Sequence, residues 1–273
     1  MTWNAPVALV ILACVISVVP ASAQAPAPAP APAAEPPAAT QPSVQFLSRF
    51  NFHIDAGAVS DPTAMFDWIA NLGGDIDFVD YGKGRINFLA QYEVVMGTEY
   101  KSFDPNQGNY TLNLSATWRA FGGEFLGVFH HISRHYGDRA KLFPIDWNTA
   151  GVQYYRPFVL GPALMKTQAY AAKVIQKSYV DYTWDMGAGL DAQLPISPRV
   201  SVMLRGSMER MNVDPTIAGR SAQNGGRGEI ALRVAGVRAQ MEVYCAYERR
   251  IDAAPVLRKP ENWALAGFRF VKE

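Results

Sequence analysis

From Val44 onward the chain alternates. In residues 85–97, Ile86, Phe88, Ala90, Tyr92, Val94 and Met96 share one parity, and Arg85, Asn87, Gln91 and Glu93 share the other. In 109–120, Tyr110, Leu112, Leu114, Ala116 and Trp118 oppose Asn109, Thr111, Asn113, Ser115, Thr117 and Arg119. Successive side chains of a strand leave opposite faces, so a period of two predicts strands with one apolar and one polar face. Such runs lie near 44–58, 64–80, 84–98, 108–120, 123–135, 146–157, 162–176, 178–194, 198–212, 225–235, 237–249 and 262–271.

Strand length and the polar face decide the class. Strands of soluble sheets run to about 5–6 residues, and these run to about 10–16. A tilted membrane-spanning strand needs roughly 9–11. A continuous apolar face opposite a face carrying charges of both signs is the inside-out pattern of a membrane barrel. The expected fold is therefore all-β: an antiparallel transmembrane β-barrel of about twelve strands in the bacterial outer membrane. Longer connections, such as TEYKSFDPNQGN and RIDAAPVLRKPE, alternate with short ones near 81–83, 121–122, 159–161, 195–197 and 236. Barrels of this kind have short periplasmic turns and longer outer loops. A periplasmic start puts all the longer loops outside.

Ahead of the barrel (44–273), two segments follow other rules. Residues 1–23 read as a secretory signal, with PVALVILACVISVV as apolar core and Ala21-Ser22-Ala23 before Gln24 as cleavage site. Ile11-Leu12-Ala13-Cys14 also fits lipoprotein processing, and a retained anchor is the third option; the apolar core continuing past Cys14 favours cleavage. Residues 24–43, QAPAPAPAPAAEPPAATQPS, bury almost nothing and predict an extended tether. The tether is a passive linker or a peptidoglycan contact.

Composition narrows the partners. A formal net charge of +1 gives no basis for nucleic-acid binding. Aromatic residues at 12% suit interfacial girdles. With Cys14 in the signal, Cys245 has no disulfide partner. No cofactor motif is present: GKG at 82–84 and NGGRG at 224–228 read as turns or sheet bends, no cysteine–histidine spacing suggests zinc, and a cation site at Asp75, Asp77 and Asp80 is the lesser reading of that acidic group. Asp75, Asp77 and Asp80 are expected to line the barrel in pairs with Arg85 or Arg119. His53 is expected to line the interior too. Arg85, Glu93, Arg119, Asp181 and Asp185 are the interior charges from which a narrow pore would build its constriction.

The one stretch with candidate chemistry is HHISRHYGDR, which holds three of the four histidines. His131 and Ser133 are two apart on one strand and leave the same face. An imidazole so placed can take a hydroxyl proton when a third group orients the ring. Asp146, at the start of the next strand, is the candidate third member. Both parities of this strand carry apolar residues, so the pattern leaves its facing open.

This His-x-Ser arrangement resembles that of the lipid A 3-O-deacylases and the outer-membrane phospholipase A, although Arg134 stands where those families carry asparagine. The resemblance implies a serine acyl hydrolase at the outer-leaflet end of a strand. GGDIDFVDYGKGR and HHISRHYGDR also resemble an uncharacterised family of bacterial outer-membrane barrels, which implies fold and location only. The competing reading makes His130, Arg134, His135, Asp138 and Arg139 a rim that contacts lipid head groups, with guanidinium forks holding lipopolysaccharide phosphates. Three roles follow: a structural or ligand-binding barrel with a charged, largely filled interior, a lipid acyl hydrolase, and a narrow pore for small polar solutes. Outer-membrane lipid and lipopolysaccharide are the expected partners.

Overall fold

The computed structural model describes residues 44–137 and 143–272. The signal, the tether, Asp138 and Arg139 lie outside the described residues. Twelve antiparallel strands form one closed barrel in chain order. They are β1 (Gln45–Val59), β2 (Trp68–Asp80), β3 (Arg85–Gly97), β4 (Asp104–Ala120), β5 (Gly123–Tyr136) and β6 (Ile145–Leu160), then β7 (Ala163–Ser178), β8 (Tyr182–Ser197), β9 (Val200–Val213), β10 (Gln223–Ala235), β11 (Gln240–Ala254) and β12 (Lys259–Lys272). β1 closes on β12 from Phe52↔Lys272 to Val59↔Leu265. A short helical turn, α1 (Pro215–Ala218), sits between β9 and β10, capped by Asp214 and ended by Gly219 at φ 63.

The alternation sorts side chains as the pattern predicts. Leu112, Leu114 and Trp118 of β4 are exposed on the outer wall, while Ser115 and Thr117 are buried in the lumen. Outer-wall aromatics gather near both ends. Trp118, Phe125 and Tyr154 form one registered row beside the short turns, and Tyr92 and Tyr110 meet at 4.7 Å nearer the loops.

Several strand ends differ from expectation. β4 begins at Asp104, because Pro105 falls at an irregularity of the β3–β4 register, where the missing N–H breaks no regular ladder bond. β8 begins at Tyr182, which leaves Asp181 in the 179–181 connection rather than on a wall strand. β11 runs on to Ala254, but its end leaves the wall: Ile251 to Pro255 are all buried, and Asp252 takes φ 45.

The lumen is filled with ion pairs. One registered row reads Arg233, Glu242, Arg269, Asp55, Asn71 and Glu93 across β10, β11, β12, β1, β2 and β3. Opposite charges therefore face one another across strands, including the β12–β1 seam. Glu242 is fully buried and accepts from Arg205 at 2.7 Å and from Arg233 and Arg269 at 2.8 Å. Arg250 crosses the lumen from β11 to Glu93 on β3 at 2.9 Å. Nearer the turns, Arg85 holds Asp77 and Arg119 holds Asp80 as expected, while Asp75 pairs with Arg49, which also reaches Asp77.

The inward end of β11 closes the loop end. Arg134 of β5 donates to the Asp252 carbonyl at 2.6 Å, and Gln107 of β4 donates to that of Ala253 at 3.2 Å. Arg220 clasps Asp181 and the Asp252 carboxylate, both at 2.7 Å. Burial pushes the Asp181 carboxyl up, but hydrogen bonds and charge from Arg220, with Arg258 behind, outweigh this and hold it below the usual carboxylate range. The clasp is complete above the ordinary value of 3.8 and weakens as pH falls through the lower folded value. Protease cleavage within 214–222 is therefore expected to rise only below about pH 4, and cleavage that rises already at pH 6 would contradict the clasp.

The interior charges do not form one constriction. Arg85 and Arg119 stand at the turn end, Glu93 in the loop-ward half, and Asp185 near the loop end of β8, with Asp181 in the clasp above it. Cavities of about 510 and 600 Å³ remain in the lumen.

Candidate active site

Register settles the facing of β5. Its residues pair with β4 as Arg134↔Asn109, Ile132↔Thr111 and His130↔Asn113, all on the polar lumen parity. His131, Ser133 and His135 pair with Leu112, Tyr110 and Gly108 and so leave the outer wall. This corrects the lipid-facing rim expected from sequence: His130 and Arg134 point into the lumen and do not reach head groups. Only His135 of the described rim residues lies outside. Arg134, next to the serine, is on the opposite face, so its departure from the family motif does not touch the outer surface.

On the β6 side, Ser133 faces Asp146 and His131 faces Asn148. His131 Nδ1 meets Asn148 Oδ1 at 2.7 Å. Asn148 Nδ2 donates to Gln176 Oε1 at 2.6 Å, and Gln176 Nε2 donates to Asp146 Oδ1 at 3.3 Å. The ring therefore rests on Asn148 rather than on Asp146, which lies one pleat nearer the loops and ends the chain of bonds. A register irregularity between β6 and β7 at Asn148/Thr149 brings Gln176 beside Asn148.

The direction of this chain follows from donor and acceptor inventories. An ionised carboxylate only accepts, so Gln176 turns its amide nitrogen to Asp146 and its oxygen to Asn148. Asn148 must then donate to Gln176 and present its oxygen to the imidazole. His131 consequently carries its proton on Nδ1 and leaves Nε2 free to accept one. Ser133 Oγ is bonded to His135 Nε2 at 2.7 Å, and His135 packs edge-on against the Tyr110 ring. The serine thus lies one pleat from two imidazoles, of which His131 has an oriented tautomer.

Asn148 was readable only as a polar residue sharing the parity of Asp146. Its role needs the β5–β6 register, which no local pattern carries. Among the described residues no group of three His, Cys, Asp or Glu side chains is placed to hold a metal ion.

No family model matches the chain, and no curated protein matches it. Solved structures do. An outer-membrane channel from Pseudomonas putida F1 aligns over 82% of this chain and 94% of its own at 10% identity and a TM-score of 0.52. Outer membrane phospholipase A from Escherichia coli aligns over 82% and 92% at 10% identity and 0.51. The same enzyme, as an active-site asparagine-to-alanine mutant, aligns over 84% and 91% at 11% identity and 0.51. At these identities the likeness shows the fold. The chain is a bacterial outer-membrane β-barrel protein, with a closed barrel of twelve strands.

Proposed function

We propose that the protein is a serine acyl hydrolase acting on lipid esters at the outer leaflet. The observation that carries this reading is the His131–Asn148 bond on the outer wall, with Ser133 one pleat away on the same face. Lumen-facing residues would never meet lipid. The phospholipase with the same fold has an asparagine in its active site, and Asn148 supplies that residue type here. The clasped loop end and paired lumen give the pore reading less support.

Ser133 Oγ attacks the ester carbonyl carbon while His131 Nε2 takes its proton. The tetrahedral intermediate collapses, the C–O bond to the leaving alcohol breaks, and His131 returns the proton to that alcohol. Water, deprotonated by the same nitrogen, then cleaves the acyl-serine ester and releases the fatty acid. Asn148 touches no substrate; it holds the ring and fixes its tautomer. This step requires Ser133 Oγ to leave its bond to His135 and turn towards His131.

The test uses purified full-length protein on mixed micelles of phospholipid or lipid A. Wild type is expected to release fatty acid, and Ser133→Ala to release at least about a thousandfold less. Release by neither protein, or equally by both, would leave the structural barrel as the better reading.

A further inference from the structure

A second feature lies on another part of the outer wall, across β8 to β12. Arg210 of β9 and Arg249 of β11 both leave the outer face near the loop end and converge on Asn224 of β10. Arg210 donates to Asn224 Oδ1 at 3.3 Å and to Asn212 Oδ1 at 3.1 Å. Arg249 donates to the Asn224 carbonyl at 3.1 Å and to Asn262 Oδ1 at 3.2 Å. Each of these acceptors is a neutral oxygen, and among the described residues neither arginine meets a carboxylate. In the lumen, by contrast, Arg205, Arg227, Arg250 and Arg269 each pair with acids. Two exposed guanidinium groups set side by side without a counter-charge are complementary to a phosphate.

Below them the wall is hollow. Outer-face positions Gly226, Gly228 and Gly206 adjoin in register and carry no side chains. Leu190, Met208 and Tyr247 stand around them, and a largely apolar groove of about 600 Å³ runs between, with Arg249 and Asn224 at its head. From Asn224 to Ile230, which ends the floor, is about 20 Å at the usual rise per residue. On a strand tilted by about 45° this is roughly 15 Å of depth, half of a ~30 Å hydrocarbon core. The groove thus begins at the head-group level of the loop-side leaflet and spans that leaflet.

We infer that this face binds one lipopolysaccharide molecule, a lipid A phosphate on Arg210 and Arg249 and one acyl chain along the glycine floor. The charge at the head and the one-leaflet depth both select a phosphorylated acyl lipid of the outer leaflet. The site shares no residue with the serine centre and stands whether or not the protein is a hydrolase.

Native mass spectrometry of the full-length protein in detergent tests this, with bisphosphorylated lipid A, its dephosphorylated form and phosphatidylglycerol as probes. Wild type is expected to retain bisphosphorylated lipid A, and R210Q/R249Q to retain about tenfold less. Gly206→Leu with Gly228→Leu should also lower retention. A Cβ at either glycine meets no atom within 4 Å, so these side chains fill the groove without straining the wall. That pair carries the test if the arginine variant fails to fold, judged by heat-modifiable gel mobility. Equal retention by wild type and the groove-filled variant, equal retention of the dephosphorylated form, or stronger retention of phosphatidylglycerol would each overturn the inference.

Discussion

A His131→Ala protein is expected to hydrolyse acyl esters at least about a hundredfold more slowly than wild type, and His135→Ala to stay within about tenfold of it. The two rings lie one pleat to either side of Ser133 along β5, and distance alone favours His135. His135 has the present bond to Ser133. The bonds that run from His131 through Asn148 and Gln176 to Asp146 specify where the His131 proton sits. A base whose tautomer is wrong half the time, or whose ring rocks, is a poor acceptor for a serine proton. Asn148→Ala should therefore reproduce most of the His131→Ala loss in kcat, with little change in KM, because Asn148 acts through the ring and not on the substrate. Asn148→Asp is expected to restore part of it, since a carboxylate also accepts from Nδ1. The reverse ranking of the two histidines, read from initial rates on the same micelles, would make His135 the base and the amide chain a structural feature.

Glu242→Leu is expected to cause the largest loss of stability of any single substitution, about 3–5 kcal/mol. The carboxylate is fully buried and is shared by Arg205, Arg233 and Arg269. Arginine cannot discharge itself by losing a proton at any ordinary pH, so removing the acid leaves cations crowded together in a poorly solvated lumen. Glu229 remains beside Arg205 and Arg269 and offsets part of that. Arg233 is itself buried and donates to Glu242 Oε1 at 2.8 Å, so it is one of the cations that this loss strands. Adding Arg233→Leu to Glu242→Leu should consequently recover a measurable share. The measurement is the urea midpoint of the folded barrel in detergent micelles. A midpoint for Glu242→Leu matching wild type would show that water, rather than the acid, screens these arginines.

What the sequence made legible was what repeats. Two-residue alternation located all twelve walls of the barrel, and loop lengths distinguished its ends. Residues that sit off the repeat were read less well. Asp181 looked like a wall position because it alternates with Val180 and Tyr182, yet a register irregularity at Tyr182/Trp184 places it in a connection. Pro105 reads as part of the connection TEYKSFDPNQGN, yet it lies in β4 at an irregularity of the register with β3. The facing of β5 was open because Leu126, Val128 and Ile132 are inward apolar residues on a parity that is otherwise polar across the lumen. That question is answered by pairing with β4, a non-local fact. For the same reason the sequence pointed to Asp146 as the partner of His131, where the structure has Asn148.

The alternation of β5 also gives adjacent residues opposite duties: Ser133 looks into the membrane, and Arg134 is tied behind it to the carbonyl of Asp252. The inward end of β11 thus braces the strand of the proposed nucleophile from inside, much as a wall is stiffened by a strut on its far side. A lineage that hollowed this lumen to conduct solutes would remove that brace. On this scaffold, conductance and a well-aligned serine are competing uses of the same interior.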